Sequence, residues 1–284
     1  MSITVEKFYQ VACTWYAIIP SIVAPVLLVI DAPFGRFAPS TSGWLTADGI
    51  KSWIVMELVS PITFLYTFFQ HPLAHDHTAS SPVPQAKFLA VLFLTHYANR
   101  ALISPLRTPS RSRTHLIVPL CGAIFNIVNG PLMAAYLSSP VAAEFLGDSQ
   151  TPIKFWFGVG LWAAGFVGNI VHDEILLDIR RAKLREAKSG GSQQQEHYAI
   201  PQGYLYKFIS YPNYFCEWVE WLGFAIAAAP IPTSFSAYAI LPPWIFVVAE
   251  ISLMIPRAYK GHKWYHSKFP DYPKERKAVL PFIF

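Results

Sequence analysis

The chain has 284 residues, of which 53% are hydrophobic, 15% aromatic and only 14% charged, with a formal net charge of +5. Soluble domains carry about 25% charged residues. That deficit, with a mean hydropathy of +0.34, excludes an ordinary soluble domain and points to a polytopic membrane protein.

The first apolar stretch, 8–30, is too long for the short apolar core of a cleavable signal and is expected to span and stay. Others follow near 51–70, 86–105, 116–138, 152–177, 206–229 and 235–256. A helix needs roughly 20 residues to cross a bilayer. Only helices satisfy their own backbone hydrogen bonds in lipid. The expected fold class is therefore all-α: one membrane-embedded domain over 1–284, a bundle of seven transmembrane helices. Pro72, Pro140, Pro152, Pro230 and Pro256 fall near the expected helix ends, while Pro25, Pro61 and Pro131 fall inside spans, where a bundle tolerates a kink.

Basic residues sort by side. Arg36 and Lys51 follow the first stretch, Arg107, Arg111 and Arg113 the third, and Arg180, Arg181, Lys183, Arg185 and Lys188 the fifth. The tail from Arg257 onward is also rich in lysine, whereas the alternate side holds only Lys7, Lys87 and Lys154. The positive-inside rule then puts the N-terminus in the lumen and the C-terminus in the cytosol. Residues 187–197, AKSGGSQQQEH, read as a flexible cytosolic linker.

Cys13, Cys121 and Cys216 are far apart and form no CxxC pair, so neither a zinc site nor a disulfide framework is suggested. HPLAHDH brings His71, His75 and His77 together, but a solvated loop is expected there, and no metal. His262 and His266, amid lysines, read as a surface helix near lipid headgroups. GVGLWAAG at 158–165 lacks the GxGxxG spacing and lies inside a span, so it is no dinucleotide fingerprint.

Ionisable groups at membrane depth are costly and point to function. Glu57 stands alone in IKSWIVMELVSPITFLYTFF, with no basic residue in its own span, and is expected as the neutral acid. Other polar residues form helical stripes: His96 with Arg100; Asn169 with Asp173 and Arg180; Asn213 with Glu217 and Glu220. Asn126 and Asn129 add amides at depth. Any single amide reads as an interhelical hydrogen bond. The whole set, with acids, amides and arginines converging, favours a buried ligand bearing hydroxyls, a carboxamide and phosphates.

MEL around Glu57, HYANR, NGPL, GNIVHDEILLDIR, YAIPQGYLYKFISYPNYFCEWVEW and PRAYKGHKWYHSKFPDYPKERKAVLPFIF carry a resemblance. Over most of its length the chain resembles the steroid 5-alpha-reductase family, the 3-oxo-5-alpha-steroid 4-dehydrogenases. The resemblance implies a seven-helix enzyme, an oxidoreductase acting on CH–CH groups. It would use NADPH to reduce a carbon–carbon double bond conjugated to a ketone, with most cofactor motifs in 130–284. It implies that Glu57 and Tyr97 are catalytic, polarising the substrate carbonyl. His96, Arg100, Arg107, Asn169, Asp173, Arg180, Asn213, Glu217, Arg257 and Tyr265 match cofactor positions. Trp53, four residues before Glu57, and Phe125 are expected to flank a flat apolar substrate.

The resemblance also implies the endoplasmic reticulum membrane, a steroid-like substrate, no nucleic-acid partner and a monomer. Three positions depart from the family. Ala199 stands where close relatives have arginine, so Lys207 or a linker cation is expected to replace that phosphate contact. Met56 stands where glutamine is common, and Lys260-Gly261-His262 where relatives are richer in histidine. The competing readings are the same chemistry on another lipid or terpenoid enone or an enoyl thioester, or a sterol-binding protein without catalysis.

Overall fold

A computed structural model describes residues 4–38, 43–74, 82–148, 151–190, 198–232 and 241–284. His75 and His77 lie outside the described residues.

The described chain is helical, with a single two-stranded ribbon. α1 covers Val5–Val29, α2 Gly49–Gln70 and α3 Pro84–Tyr97. A wide π-helical segment, Ala98–Ile103, continues α3 into the short α4, Ser104–Arg107. Then come α5 Ile117–Leu137, α6 Pro140–Gly147, α7 Thr151–Gly190, α8 Pro212–Ala228 and α9 Pro242–Lys268.

Four of these, α1, α2, α5 and α7, are long and apolar enough to cross a membrane. Their outer faces carry Phe8, Ile22, Val55, Ile62, Ile153 and Val167, all exposed. In water such surfaces would aggregate; in a bilayer the lipid is their solvent. The chain is an integral membrane protein. The expected count of seven spans stays finer than these four.

Three boundaries differ from expectation, each for a local reason. The helix expected over 206–229 starts only at Pro212, which suits a first helical turn because it has no N–H to leave unpaired. The residues before it are drawn into backbone pairing with the tail: Ser210 N donates to Lys277 O at 2.9 Å and Tyr211 N to Ala278 O at 3.0 Å. α7 runs to Gly190 rather than 177; at 1.5 Å per residue it is about 60 Å long and outreaches a bilayer. α9 likewise runs on to Lys268.

Aromatic rings fill the core. Phe93 stacks on Phe64 at 4.3 Å, and Trp221 meets Phe246 edge-on at 4.5 Å. α7 and α8 touch backbone to backbone: a Cβ on Gly158 would stand 2.5 Å from Gly223 O. This is the physical use of Gly158 and, against Glu220 N, of Gly165 in GVGLWAAG: close helix approach in a membrane bundle.

Two ties fix the loops at one end. β1 (Thr46–Ala47) pairs antiparallel with β2 (Thr114–His115), joining the segment before α2 to the segment before α5. Arg276, 3% exposed, donates to Pro201 O at 3.0 Å and Gln202 Oε1 at 2.8 Å, seating the tail on the PQG turn. Asp48 caps α2 by accepting from Ile50 N and Lys51 N at 2.9 and 2.8 Å, which sets where Trp53 and Glu57 stand.

Candidate active site

A cavity of about 330 Å³ opens among α3, α7, α8 and α9. His96, Arg100, Asn169, Asp173, Arg180, Asn213, Glu217, Arg257 and Tyr265 line it, and so does Trp53. Arg107, expected with them, does not. It pairs with Glu174 at 2.8 Å in a partly exposed cluster with Arg181.

Helical spacing explains the convergence. Asn169 and Asp173 are one turn apart on α7, and Asn213 and Glu217 one turn apart on α8. Across the contact Asn169 Nδ2 donates to Asn213 O at 3.0 Å, and Asn213 Nδ2 donates to Asp173 Oδ1 at 2.9 Å. Each side chain holds another in place, so the cavity wall is ordered before any ligand arrives.

The cation supply is larger than the sequence motifs indicated. Arg36 and Arg111 also line the cavity, joining Arg180 and Arg257. Among the described residues none of these four has a carboxylate within 4.0 Å. Arg36 lies over the rings of Trp264 and Tyr265, 4.6 Å from each centroid. Arg111, in the loop after α4, has its guanidinium pushed down to about 10, first by burial and then by repulsion from Arg180. Arginines gathered without an ion-pair partner have the donor chemistry to take an anion. Lys207, expected to make up for Ala199, is exposed and does not line the cavity; Arg36 and Arg111 stand there instead.

Deeper in the bundle the arrangement changes. Glu57 is 6% exposed, and its expected isolation does not hold: Arg100 Nε donates to Glu57 Oε1 at 3.2 Å. The same guanidinium reaches Glu217 at 3.0 Å. Arg100 comes from the π-helical segment, whose extra residue per turn re-aims the side chain; such segments often mark functional sites. Helical spacing cannot signal this pairing, because Glu57 and Arg100 lie on different helices. Two carboxylates share one guanidinium, and the cluster is neutral when it holds one proton.

Tyr97 is 3% exposed. Asn129 Nδ2 donates to its Oη at 3.0 Å, while the phenol's own proton faces Asn126 Oδ1 at 3.4 Å. Asn126 is pinned in turn, donating to Met56 O at 2.8 Å. So Tyr97 accepts one short hydrogen bond and donates only a long one, which leaves its proton available to a better acceptor. His96 Nδ1 contacts Glu220 Oε1 at 2.7 Å, with both side chains buried.

Trp53 lines the cavity, its ring 3.9 Å beneath the Arg111 guanidinium, and its Nε1 donates to Arg100 O at 3.2 Å. Phe125 lies outside the cavity wall, between Tyr16 at 5.3 Å and Phe246 at 6.1 Å. Among the described residues no cluster of His, Cys, Asp and Glu could hold a metal ion.

Fold and cavity define a helical integral membrane protein whose arginine-lined cavity is linked, through Arg100, to a buried acid–phenol cluster. Residues 112–284 match the family model described as 3-oxo-5-alpha-steroid 4-dehydrogenase. The chain is 33% identical to 3-oxo-5-alpha-steroid 4-dehydrogenase 1 of Bos taurus, covering 98% of each chain. It is 32% identical to steroid 5-alpha-reductase DET2 of Solanum lycopersicum, over 89% of this chain and 88% of the relative. It is 38% identical to an uncharacterized protein of Schizosaccharomyces pombe, over 92% of this chain and 94% of that one. The chain belongs to the steroid 5-alpha-reductase family, whose named members are oxidoreductases acting on CH–CH groups.

Proposed function

We propose that this protein reduces the Δ4 carbon–carbon double bond of a 3-oxo-Δ4-steroid, giving the 5α-reduced 3-oxosteroid, with NADPH as reductant. The observation that carries this reading is the adjacency of two sites. A cavity with four arginines that make no ion pair among the described residues is joined through Arg100 to Glu57, near the phenol of Tyr97.

The donor set fits the cofactor. Arg36, Arg111, Arg180 and Arg257 would hold its phosphates, and Asn169, Asp173, Asn213 and Glu217 its hydroxyl and amide groups. When bound, a reduced nicotinamide supplies a hydride to the β-carbon of an enone. The protein's part is to stabilise the negative charge that then grows on the carbonyl oxygen. Tyr97 donates its proton toward that oxygen, released from the long contact to Asn126. Glu57 donates a second, from the one proton shared in the Glu57–Arg100–Glu217 cluster. The enolate takes a proton at its α-carbon, ultimately from water, and the ketone re-forms.

The orientation we propose puts the N-terminus in the lumen of the endoplasmic reticulum, with seven spans in one domain. The arginine cavity and C-terminal tail then face cytosolic NADPH. Labelling that found the terminal PFIF segment lumenal would overturn that orientation. The reaction is tested with membranes containing the protein, NADPH, and testosterone or progesterone. NADPH oxidation that depends on the steroid, with a product two mass units heavier, is expected. Oxidation only with a different lipid enone would move the substrate assignment, and no enone-dependent oxidation would overturn the reading.

A further inference from the structure

The π-helical segment leaves one carbonyl without a donor of its own. In a π-helix each N–H reaches the carbonyl five residues back. Ser104 N does so, donating to Asn99 O. In the same register the carbonyl of Arg100 would accept from residue 105, but that residue is Pro105, which has no N–H to give. The α-helical donor for that carbonyl would be Ser104 N, already spent on Asn99. An orphaned carbonyl inside a protein costs about as much as a lost hydrogen bond.

The missing donor comes from α2. Trp53 Nε1 donates to Arg100 O at 3.2 Å. Such a bond is not the rule for the indoles of this fold: Trp162, Trp218 and Trp221 are buried with Nε1 unpartnered. The Trp53 ring is held in turn by Arg111, whose guanidinium lies 3.9 Å from its centre, and the Arg100 guanidinium lies 5.1 Å from it.

The consequence falls on the Arg100 side chain, which reaches Glu57 at 3.2 Å and Glu217 at 3.0 Å from this π turn. Were Ser104 N to bond Arg100 O instead, the turn would tighten by one residue, a rotation of about 100°, and the guanidinium would leave both carboxylates. Glu57 stands one turn after Trp53, so α2 both presents the acid and pins the backbone of the residue that pairs with it. We propose that Trp53 is a positioning residue: its indole N–H supplies the donor that Pro105 cannot, and so holds the π turn that aims Arg100 at Glu57 and Glu217. The effect of this bond on the reaction rests on the reductase reading of the site; the bond's hold on the π turn does not.

The test is a rescue, read as the single-turnover rate of testosterone reduction by NADPH-saturated protein in nanodiscs, with thermal unfolding measured alongside. Trp53→Phe keeps an aromatic ring beneath Arg111 but has no N–H. It should slow reduction by about tenfold, the scale of one hydrogen bond. Pro105→Ala restores a backbone N–H where the π register needs one, so adding it to Trp53→Phe should recover most of the lost rate. In an Arg100→Lys background Trp53→Phe should cost little, because Trp53 acts through the guanidinium. If Trp53→Phe folds poorly, benzothienylalanine at position 53, with sulfur in place of the N–H, makes the same comparison. A wild-type rate without the indole N–H would overturn the proposal. So would a loss that Pro105→Ala does not relieve and that persists in Arg100→Lys, which would make Trp53 a wall of the substrate site. If wild type reduces no enone, the reductase reading fails, and unfolding decides the claim about the π turn. Pro105→Ala should then raise the midpoint of Trp53→Phe more than that of wild type, and equal shifts would overturn it.

Discussion

The arginine-lined cavity and the chamber around Glu57 handle buried charge in opposite ways. In the cavity Arg36, Arg111, Arg180 and Arg257 stand together, with Asp173 and Glu217 in the same wall but, among the described residues, no carboxylate within 4.0 Å of any of the four. Around Glu57 the main polar groups are matched across helices: Glu57 with Arg100, Tyr97 with Asn129, His96 with Glu220. Near a membrane edge water can hydrate an unpaired cation until an anion replaces it. At depth no water is available, and a lone charge costs several kcal/mol, so partners are built in. On the reading proposed above, the first region receives a charged ligand and the second holds a few protons in fixed positions.

The contrast can be broken at its joint. Arg100→Met removes the one cation shared by Glu57 and Glu217 and leaves two acids uncompensated. Breaking a buried pair in this way costs about 3–5 kcal/mol. Thermal unfolding in detergent should fall markedly, and activity should be lost. A stable Arg100→Met protein would mean that the two acids are neutral without it.

Next in size are the cavity substitutions. Arg257→Ala and Asp173→Ala each remove a contact to a polar ligand, worth about 1–3 kcal/mol, or roughly 5- to 150-fold. The NADPH KM should rise by that factor while steroid binding stays near its wild-type value. Equal loss of steroid and cofactor affinity would erase the distinction between the two regions.

Asn129→Leu sharpens the account of the chamber. It takes away the hydrogen bond donated to Tyr97 Oη, so kcat should drop about tenfold with the NADPH KM unchanged. In a Tyr97→Phe background the same change should cost little, because Asn129 acts through the phenol. Additive losses would make Asn129 a packing residue. The smallest effect is expected at Asp48, whose replacement by Ala removes the α2 cap and should cost about 1 kcal/mol of stability, read from thermal unfolding, with kcat intact.

Much of the cavity could be read from the sequence, because its residues repeat at helical spacing within single helices: Asn169 with Asp173, Asn213 with Glu217. Arg36 and Arg111 were visible only as loop charge, since their loops fold back over the helices through the β1–β2 ribbon. The chamber was less legible. Glu57 looked isolated because its partner comes from another helix, through a π-helical turn with no clear sequence signature. Long apolar runs located the helices, but helix ends set by tertiary pairing escaped, as at Pro212, where the tail claims the preceding backbone.

The central claim is that Tyr97 and Glu57 carry the charge that develops on the substrate oxygen. Single-turnover reduction of testosterone by NADPH-saturated protein tests it most directly, comparing wild type with Tyr97→Phe and Glu57→Gln. Loss of an oxyanion donor costs on the order of 10²–10³-fold. Each variant should slow the chemical step by that order with NADPH affinity nearly unchanged, and the double variant should lose less than the product of the two. Wild-type single-turnover rates in Glu57→Gln and Tyr97→Phe would contradict the account and leave both as packing residues.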